Sequence, residues 1–384
     1  MATSRDWRSS LTASQRYDNI QNLTRAVAAR GLTQSAFAIE DYAYKCAASR
    51  EAYDAACSSL EAAPDSSAAS APGPEDQNSG EPGIRIGKYH DCHYVASGVT
   101  AEVYRCKDRA LKVIVETKNI EPHNPFNEAR ILELVKKPCI PLLETFRDQE
   151  QRFVLAFPFM PLTLAGLLEQ GPLSDAQIRR IFSDLFKALS HVHAQGIIHR
   201  DIKPSAVLLS SLDGPAYLAD FGTAWHPTFS SFAEPADQKI LDIGTGPYRA
   251  PDALFGNKSY GPPVDMWGAG TMLAECCRNP PKPLFESRGT HEDGNQLGLI
   301  LSIFKTIGSP TRESWPEATS FKTPPFDMYR SFETHSWETV LPNLSPEWRD
   351  LVAALVMYNS SSRATAEQAL GFPCLAEKGG LDEK

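Results

Sequence analysis

Residues 197–209 read IIHRDIKPSAVLL, residues 218–225 read LADFGTAW, and residues 244–252 read GTGPYRAPD. In each stretch a few charged or backbone-special residues sit among apolar neighbours, the pattern of polar loops laid on a buried scaffold. Just upstream, Ser174 and Gln177 make a capping box. Ile178, Ile181, Phe182, Leu185, Leu189 and Val192 then recur on one face until Gly196, so a long amphipathic helix is expected. Helical periodicity dominates from residue 161 onward. Between residues 87 and 160 the segments KYHDCHYVASG, AEVYRC, ALKVIV and FVLAF are short and rich in β-branched or aromatic residues, with one helical stretch, PFNEARILELV. They predict a sheet with a single helix.

Working further outward, residues 62–83 (AAPDSSAASAPGPEDQNSGEPG) offer no large apolar side chain to bury and are expected to be a disordered linker. Residues 6–61 before it carry three helical patterns. Thr12 and Gln15 cap the first, ahead of Tyr17, Ile20, Leu23 and Val27; Ala36, Ile39, Ala43 and Cys46 share a face of the second; Ser49 can cap the third through Tyr53 and Leu60. The expected organisation is a three-helix module at 6–61, a linker at 62–83, a main domain at 87–375 and a tail at 376–384.

At 384 residues the chain is too long for one core, and 42% hydrophobic with 22% charged residues excludes wholly disordered, collagen-like and membrane-spanning classes. The net charge of -9 and the lack of a basic tract argue against nucleic acid or an anionic membrane as partner. No apolar signal core opens the chain, and no run approaches the roughly 18 apolar residues of a spanning helix, so nucleus or cytoplasm is the expected compartment. The eight cysteines contain no CxxC pair and read as reduced core residues.

Taken in order and spacing, the three stretches resemble the eukaryotic protein kinases over about residues 87–375. The resemblance is greatest to the cyclin-dependent (CMGC) branch, because PLFESRGTHEDGNQLGLILSIFKTIGSPTRESWPEA (283–318) matches its insert. It implies an α+β bilobal fold, a small β-rich lobe with one helix followed by a large helical lobe. It also implies ATP and Mg2+ as cofactors and protein hydroxyls as substrates. On the matching positions, Asp201 is the acceptor for the substrate hydroxyl proton, Lys203 neutralises charge on the moving phosphoryl group, and Thr245 hydrogen-bonds both. Asp220 matches the magnesium ligand, while Lys112 matches the phosphate contact and Glu128 its partner. Phe157 is the expected gatekeeper, with Pro158 and Met160 facing adenine and Val103, Ala110 and Leu208 sandwiching it. The helix opened by Asp265 matches the anchor of the catalytic loop, and Arg363 matches the partner of Asp252.

The departures are as informative. The phosphate-binding loop keeps Gly98 and Val103 but has Ala96 and Ala101 where glycines belong. The asparagine that holds a second magnesium falls at Ala206, whose methyl group cannot ligate a hard cation. The stretch Pro122–Glu128 keeps only the first Pro and the final Glu of the cyclin-recognition helix, so a cyclin requirement is doubtful. The phosphorylated threonine expected nine residues before Arg249 is Ile240, leaving Glu234, Asp237 or Asp242 as substitutes facing Arg200. Gly244 matches the position that in proline-directed relatives is left-handed, so the resemblance implies that its carbonyl engages Arg249 and that specificity is proline-directed.

The N-terminal module, through Trp7, Leu11, Glu40 and Ala48–Tyr53, is similar to KIX domains, which bind activation-domain peptides in an apolar groove. An unspecialised bundle, or an extension docking on the main domain, satisfies the same pattern. Three functions therefore stand side by side: a Ser/Thr protein kinase, a pseudokinase scaffold, and a transcription-related recruitment module.

Overall fold

The computed structural model describes residues 23, 43–44, 49–58, 83–98, 100–115, 121–286, 292–326 and 330–376. It divides into two compact units, Met1–Gly80 and Glu81–Lys384. In the first unit, helix α1 (Arg50–Ser58) begins where the Ser49 hydroxyl accepts the Ala52 amide at 3.2 Å, and it buries Tyr53 and Cys57. Leu23, Ala43 and Tyr44 are helical. The rest of the three-helix expectation, Trp7, Leu11, Glu40 and Leu60 included, lies outside the described residues, as does the linker up to its last residue, Gly83.

The second unit opens with an antiparallel six-stranded sheet in the order β1-β2-β3-β4-β6-β5, built from β1 (Ile84–Ile86), β2 (Tyr89–Ser97), β3 (Ala101–Cys106), β4 (Arg109–Ile114), β5 (Glu144–Arg147) and β6 (Phe153–Pro158). Its first strand lies upstream of the residue 87 at which the sequence pattern begins. A small core of Ile86, Cys92, Cys106, Leu111, Val113, Val154 and Ala156 covers one face. Helix α2 (Pro125–Leu134) follows β4 and packs on the turn Phe221–Thr223; it starts at Asn124, whose side chain accepts the Phe126 and Asn127 amides, and Pro125 takes the first helical position, where a missing N–H costs nothing.

The helical lobe follows. Helix α3 (Leu164–Gln170) leads into α4 (Asp175–Ala194), whose Ser174–Gln177 capping box forms and whose apolar face from Ile178 to Val192 is buried. A three-stranded sheet of β7 (Leu162–Thr163), β8 (Val207–Leu209) and β9 (Ala216–Leu218) carries the loops on which the charged motifs sit. Helices α5 (Pro251–Leu254), α6 (Pro263–Cys276), α7 (Glu292–Ile307), α8 (Trp337–Val340), α9 (Pro346–Leu355) and α10 (Ala366–Leu370) complete it. Helix α6 is buried from Val264 to Cys276, as a helix apolar all round must be. All described cysteines are free thiols, six of the seven buried. No described helix is long and apolar enough to cross a membrane.

Candidate active site

Helix α4 stops at Gly196, whose φ of 73° only glycine adopts without strain, and the chain turns into the loop 199–206. That loop is suspended from the buried carboxylate of Asp265 on α6. Its Oδ2 accepts the His199 amide at 2.8 Å and faces the His193 ring at 2.9 Å, while its Oδ1 accepts the Arg200 amide at 2.8 Å. Burial alone would raise the Asp265 carboxyl, but His193 and the His199 amide hold it below the ordinary carboxylate range. The suspension forces Arg200 to a φ of 73°, a left-handed conformation costing about 1–3 kcal/mol in a non-glycine residue.

The strain presents Asp201 outward. Its Oδ1 accepts the Thr245 hydroxyl at 2.6 Å, its Oδ2 accepts the Lys203 ammonium at 2.5 Å, and that ammonium also donates to Thr245 Oγ1 at 3.1 Å. Three residues from two separate motifs thus close a triangle. Ala206 follows in the turn Pro204–Ala206, buried, its carbonyl accepting the Ala219 amide at 2.9 Å.

Across the cleft, the Lys112 ammonium on β4 is gripped by both oxygens of Glu128 on α2, at 2.7 and 3.0 Å, and by Asp220 Oδ1 at 3.1 Å. Burial alone would depress the Lys112 ammonium, but the two carboxylates hold it above the ordinary lysine range. The Lys112 charge in turn holds the Asp220 carboxyl well below its usual value. Burial raises the Glu128 carboxyl while Lys112 opposes it, so removing either partner would strand a desolvated charge. Asp220 is also left-handed, at a φ of 63°, and the next turn ends with the Gly222 carbonyl accepting the Asn124 amide at 2.9 Å. A methyl on Gly222 would meet Asp220 Oδ1, Glu128 Oε2 and His123 Nδ1, each at 3.5 Å. His123 is a site residue that no sequence motif marks.

The donor chemistry fits a hard cation held jointly with phosphate. Asp220 offers carboxylate oxygen, Lys112 offers charge to anionic oxygens, and no cluster of three or more His, Cys, Asp or Glu among the described residues would bind a metal by itself. The buried methyl of Ala206 supplies no second ligand.

The remaining expected contacts lie on the strands and core that flank this site. Strand register pairs Ala96 with Val103, Val103 with Lys112, and Ala110 with Phe157. Gly98 closes the β2–β3 hairpin, its amide donating to the Ala101 carbonyl at 2.8 Å. Pro158 ends β6, and Phe157, Met160 and Leu208 pack half-buried against the main core.

Of the three acidic candidates facing Arg200, the structure selects Glu234. The Arg200 guanidinium, itself buried, donates to Glu234 and, at 3.2 Å, to the Tyr260 hydroxyl. Glu234 Oε1 also accepts the Ile240 amide at 2.7 Å. Asp242 pairs instead with Arg249. Lys239 is buried with its ammonium 4.7 Å from the Trp225 ring centre and 5.3 Å from that of Tyr260. Gly244 has a φ of 77°, and a Cβ there would lie 3.1 Å from the Arg249 Cα. One expectation is corrected: Arg249 Nε donates at 2.6 Å to the carbonyl of Ile243, not of Gly244, because the left-handed turn brings the preceding peptide within reach. Behind the site, Arg363 Nη2 meets Asp252 Oδ2 at 2.7 Å, both buried; Asp252 Oδ1 finds no hydrogen-bond partner among the described residues.

A family model described as the protein kinase domain matches residues 89–375. Over 281 residues the chain is 32% identical to the serine/threonine-protein kinase csk1 of Schizosaccharomyces pombe, an alignment covering 70% of this chain and 89% of that protein.

Proposed function

Because the chain belongs to the protein kinase family, we propose that it is an ATP-dependent Ser/Thr protein kinase of the CMGC branch. The observation that carries this reading is the triangle of Asp201, Lys203 and Thr245 opposite the closed Lys112–Glu128 pair. Bound MgATP supplies an electrophilic γ-phosphoryl group whose charge the metal partly neutralises. The chain's residues do the rest by position and charge. Asp201 orients the incoming Ser or Thr hydroxyl and takes its proton. Thr245 and Lys203 fix the Asp201 carboxylate, and Lys203 offsets negative charge on the acceptor side. Lys112, held by Glu128, would meet phosphate oxygens, and Asp220 would hold the magnesium.

Ala206 favours a second reading, a scaffold that binds nucleotide without useful transfer. Radiolabelled ATP transfer to Ser/Thr peptides separates the two: incorporation above a protein-free blank is expected, and none would leave the scaffold. Ala206→Asn should raise turnover about 10-fold, equivalent to about 1.4 kcal/mol of transition-state stabilisation. Unchanged turnover would reject this account of Ala206.

We read the specificity as proline-directed. With Gly244 left-handed and Arg249 holding the Ile243 carbonyl, a substrate N–H after the acceptor residue would have no acceptor, at a cost of about 1–3 kcal/mol. Proline has no such N–H. A positional peptide array should show Ser-Pro and Thr-Pro preferred over Ser-Ala by roughly 5- to 150-fold. Equal phosphorylation of the two would overturn it.

No cyclin is required in this reading. The module at 6–61 would recruit an activation-domain peptide in the KIX manner, the linker 62–83 joins it to the kinase domain at 87–375, and the protein acts in nucleus or cytoplasm.

A further inference from the structure

Glu128 can serve Lys112 only while α2 keeps its rotation about its own axis, and the structure shows what restrains that rotation. Two residues past Glu128, and so about 200° around the helix, the Arg130 guanidinium lies 3.8 Å from the ring centre of Phe229. Asn127, one turn before Arg130 on the same face, donates its side-chain N–H to the Phe229 carbonyl at 3.4 Å. The helix is therefore held from two directions, by Lys112 through Glu128 and by Phe229 through Arg130 and Asn127.

Phe229 is itself wedged. The His226 imidazole stacks on it at 4.1 Å and 17°, and two groups within about 4 Å of one ring centre must occupy opposite faces. His226 Nδ1 accepts the Thr228 amide at 3.0 Å and the Phe229 amide at 3.3 Å, which fixes the ring. Burial and the Arg130 charge push the imidazole below its ordinary range. The His226 amide donates to the buried Ser230 hydroxyl at 3.1 Å, and the Ser230 carbonyl accepts the amide of Glu234 at 2.9 Å, the residue paired with Arg200. An unbroken set of contacts runs from α2 to the catalytic loop.

We propose that Phe229 is a positioning residue for phosphoryl transfer, its ring between Arg130 and His226 holding α2 in the rotation that keeps Glu128 on Lys112. The proposal rests on the kinase reading for its effect on rate, but not for its effect on the helix. Phe229→Ala should lower kcat by about 10- to 30-fold, the equivalent of one cation–π contact and one aromatic stack. Backbone amides of residues 126–134 should exchange with solvent faster, and Phe229→Tyr should restore both. Arg130→Gln, which removes the cation–π contact alone, should cause a smaller loss of about 2- to 5-fold, and adding it to Phe229→Ala should cost little more, since that contact is already gone. If Phe229→Ala proves unstable, Arg130→Gln reads the same contact from an exposed side chain. Unchanged helix exchange in these variants, or losses that multiply in the double variant, would overturn the proposal. A wild-type chain without transfer activity would strike the kinase reading alone, and the exchange measurement would still decide the role of Phe229.

Discussion

Asp201→Asn lowers kcat by about 100- to 10,000-fold, the range for loss of a general base, while leaving the melting temperature and MgATP affinity close to those of the wild type. Asparagine has nearly the same shape, so Thr245 can still donate to the side-chain oxygen that replaces Oδ1. The amide, however, cannot accept a proton from the substrate hydroxyl, and its NH2 would face the Lys203 ammonium where Oδ2 now accepts. Steady-state kinetics beside a nucleotide-binding titration make the measurement. Retention of more than about a tenth of wild-type kcat, well above the range for a removed base, would show that Asp201 does not take the proton.

Arg363→Ala removes about 3–5 kcal/mol of stability, the usual result of breaking one side of a buried ion pair. Besides Asp252, Arg363 donates to the carbonyls of Met357 at 2.6 Å, Tyr358 at 3.0 Å and Pro263 at 3.1 Å, and it lies 5.2 Å from the Trp267 ring centre. Alanine strands these carbonyls and leaves a buried carboxylate with neither oxygen paired, since Oδ1 already has no hydrogen-bond partner among the described residues. The melting temperature should fall by about 10 °C, at roughly 2–4 °C per kcal/mol for a domain of this size. Adding Asp252→Asn should recover part of that loss, because the stranded charge disappears. A fall of less than about 2 °C, under 1 kcal/mol, would show the pair to be energetically idle.

The sequence made the helical lobe readable because its information is local. The Ser174–Gln177 box and the apolar spacing from Ile178 to Val192 are both decided within a few turns of one helix. Asp201, Lys203 and Asp220 were equally legible, each embedded in a short motif. Contacts made by the loop between Phe221 and Arg249 were not, because its path is set by distant residues. Three acidic side chains could have faced Arg200, and contacts spread along the loop hold Glu234 there: Trp225 Nε1 donates at 2.9 Å to its carbonyl, and the Ser230 carbonyl accepts its amide at 2.9 Å. The Arg130–Phe229 stack joins residues with no shared periodicity, and His123 lies near Gly222, to whose carbonyl the adjacent Asn124 amide is tied. The Arg249 acceptor was misplaced by one residue for a related reason: spacing identifies the arginine but not which of two successive carbonyls a left-handed turn delivers to it.

The Glu234–Arg200 pair also bears on how such a protein could be governed. A phosphate on a loop is a reversible mark, written by one enzyme and erased by another, and its occupancy varies with both. A carboxylate is encoded in the gene and present as soon as the chain is synthesised. Glu234 itself carries no ester for a phosphatase to hydrolyse and no hydroxyl for an upstream kinase to modify. The charge opposite Arg200 is then constant in time, and any variation in the protein's output does not come from installing or removing that charge.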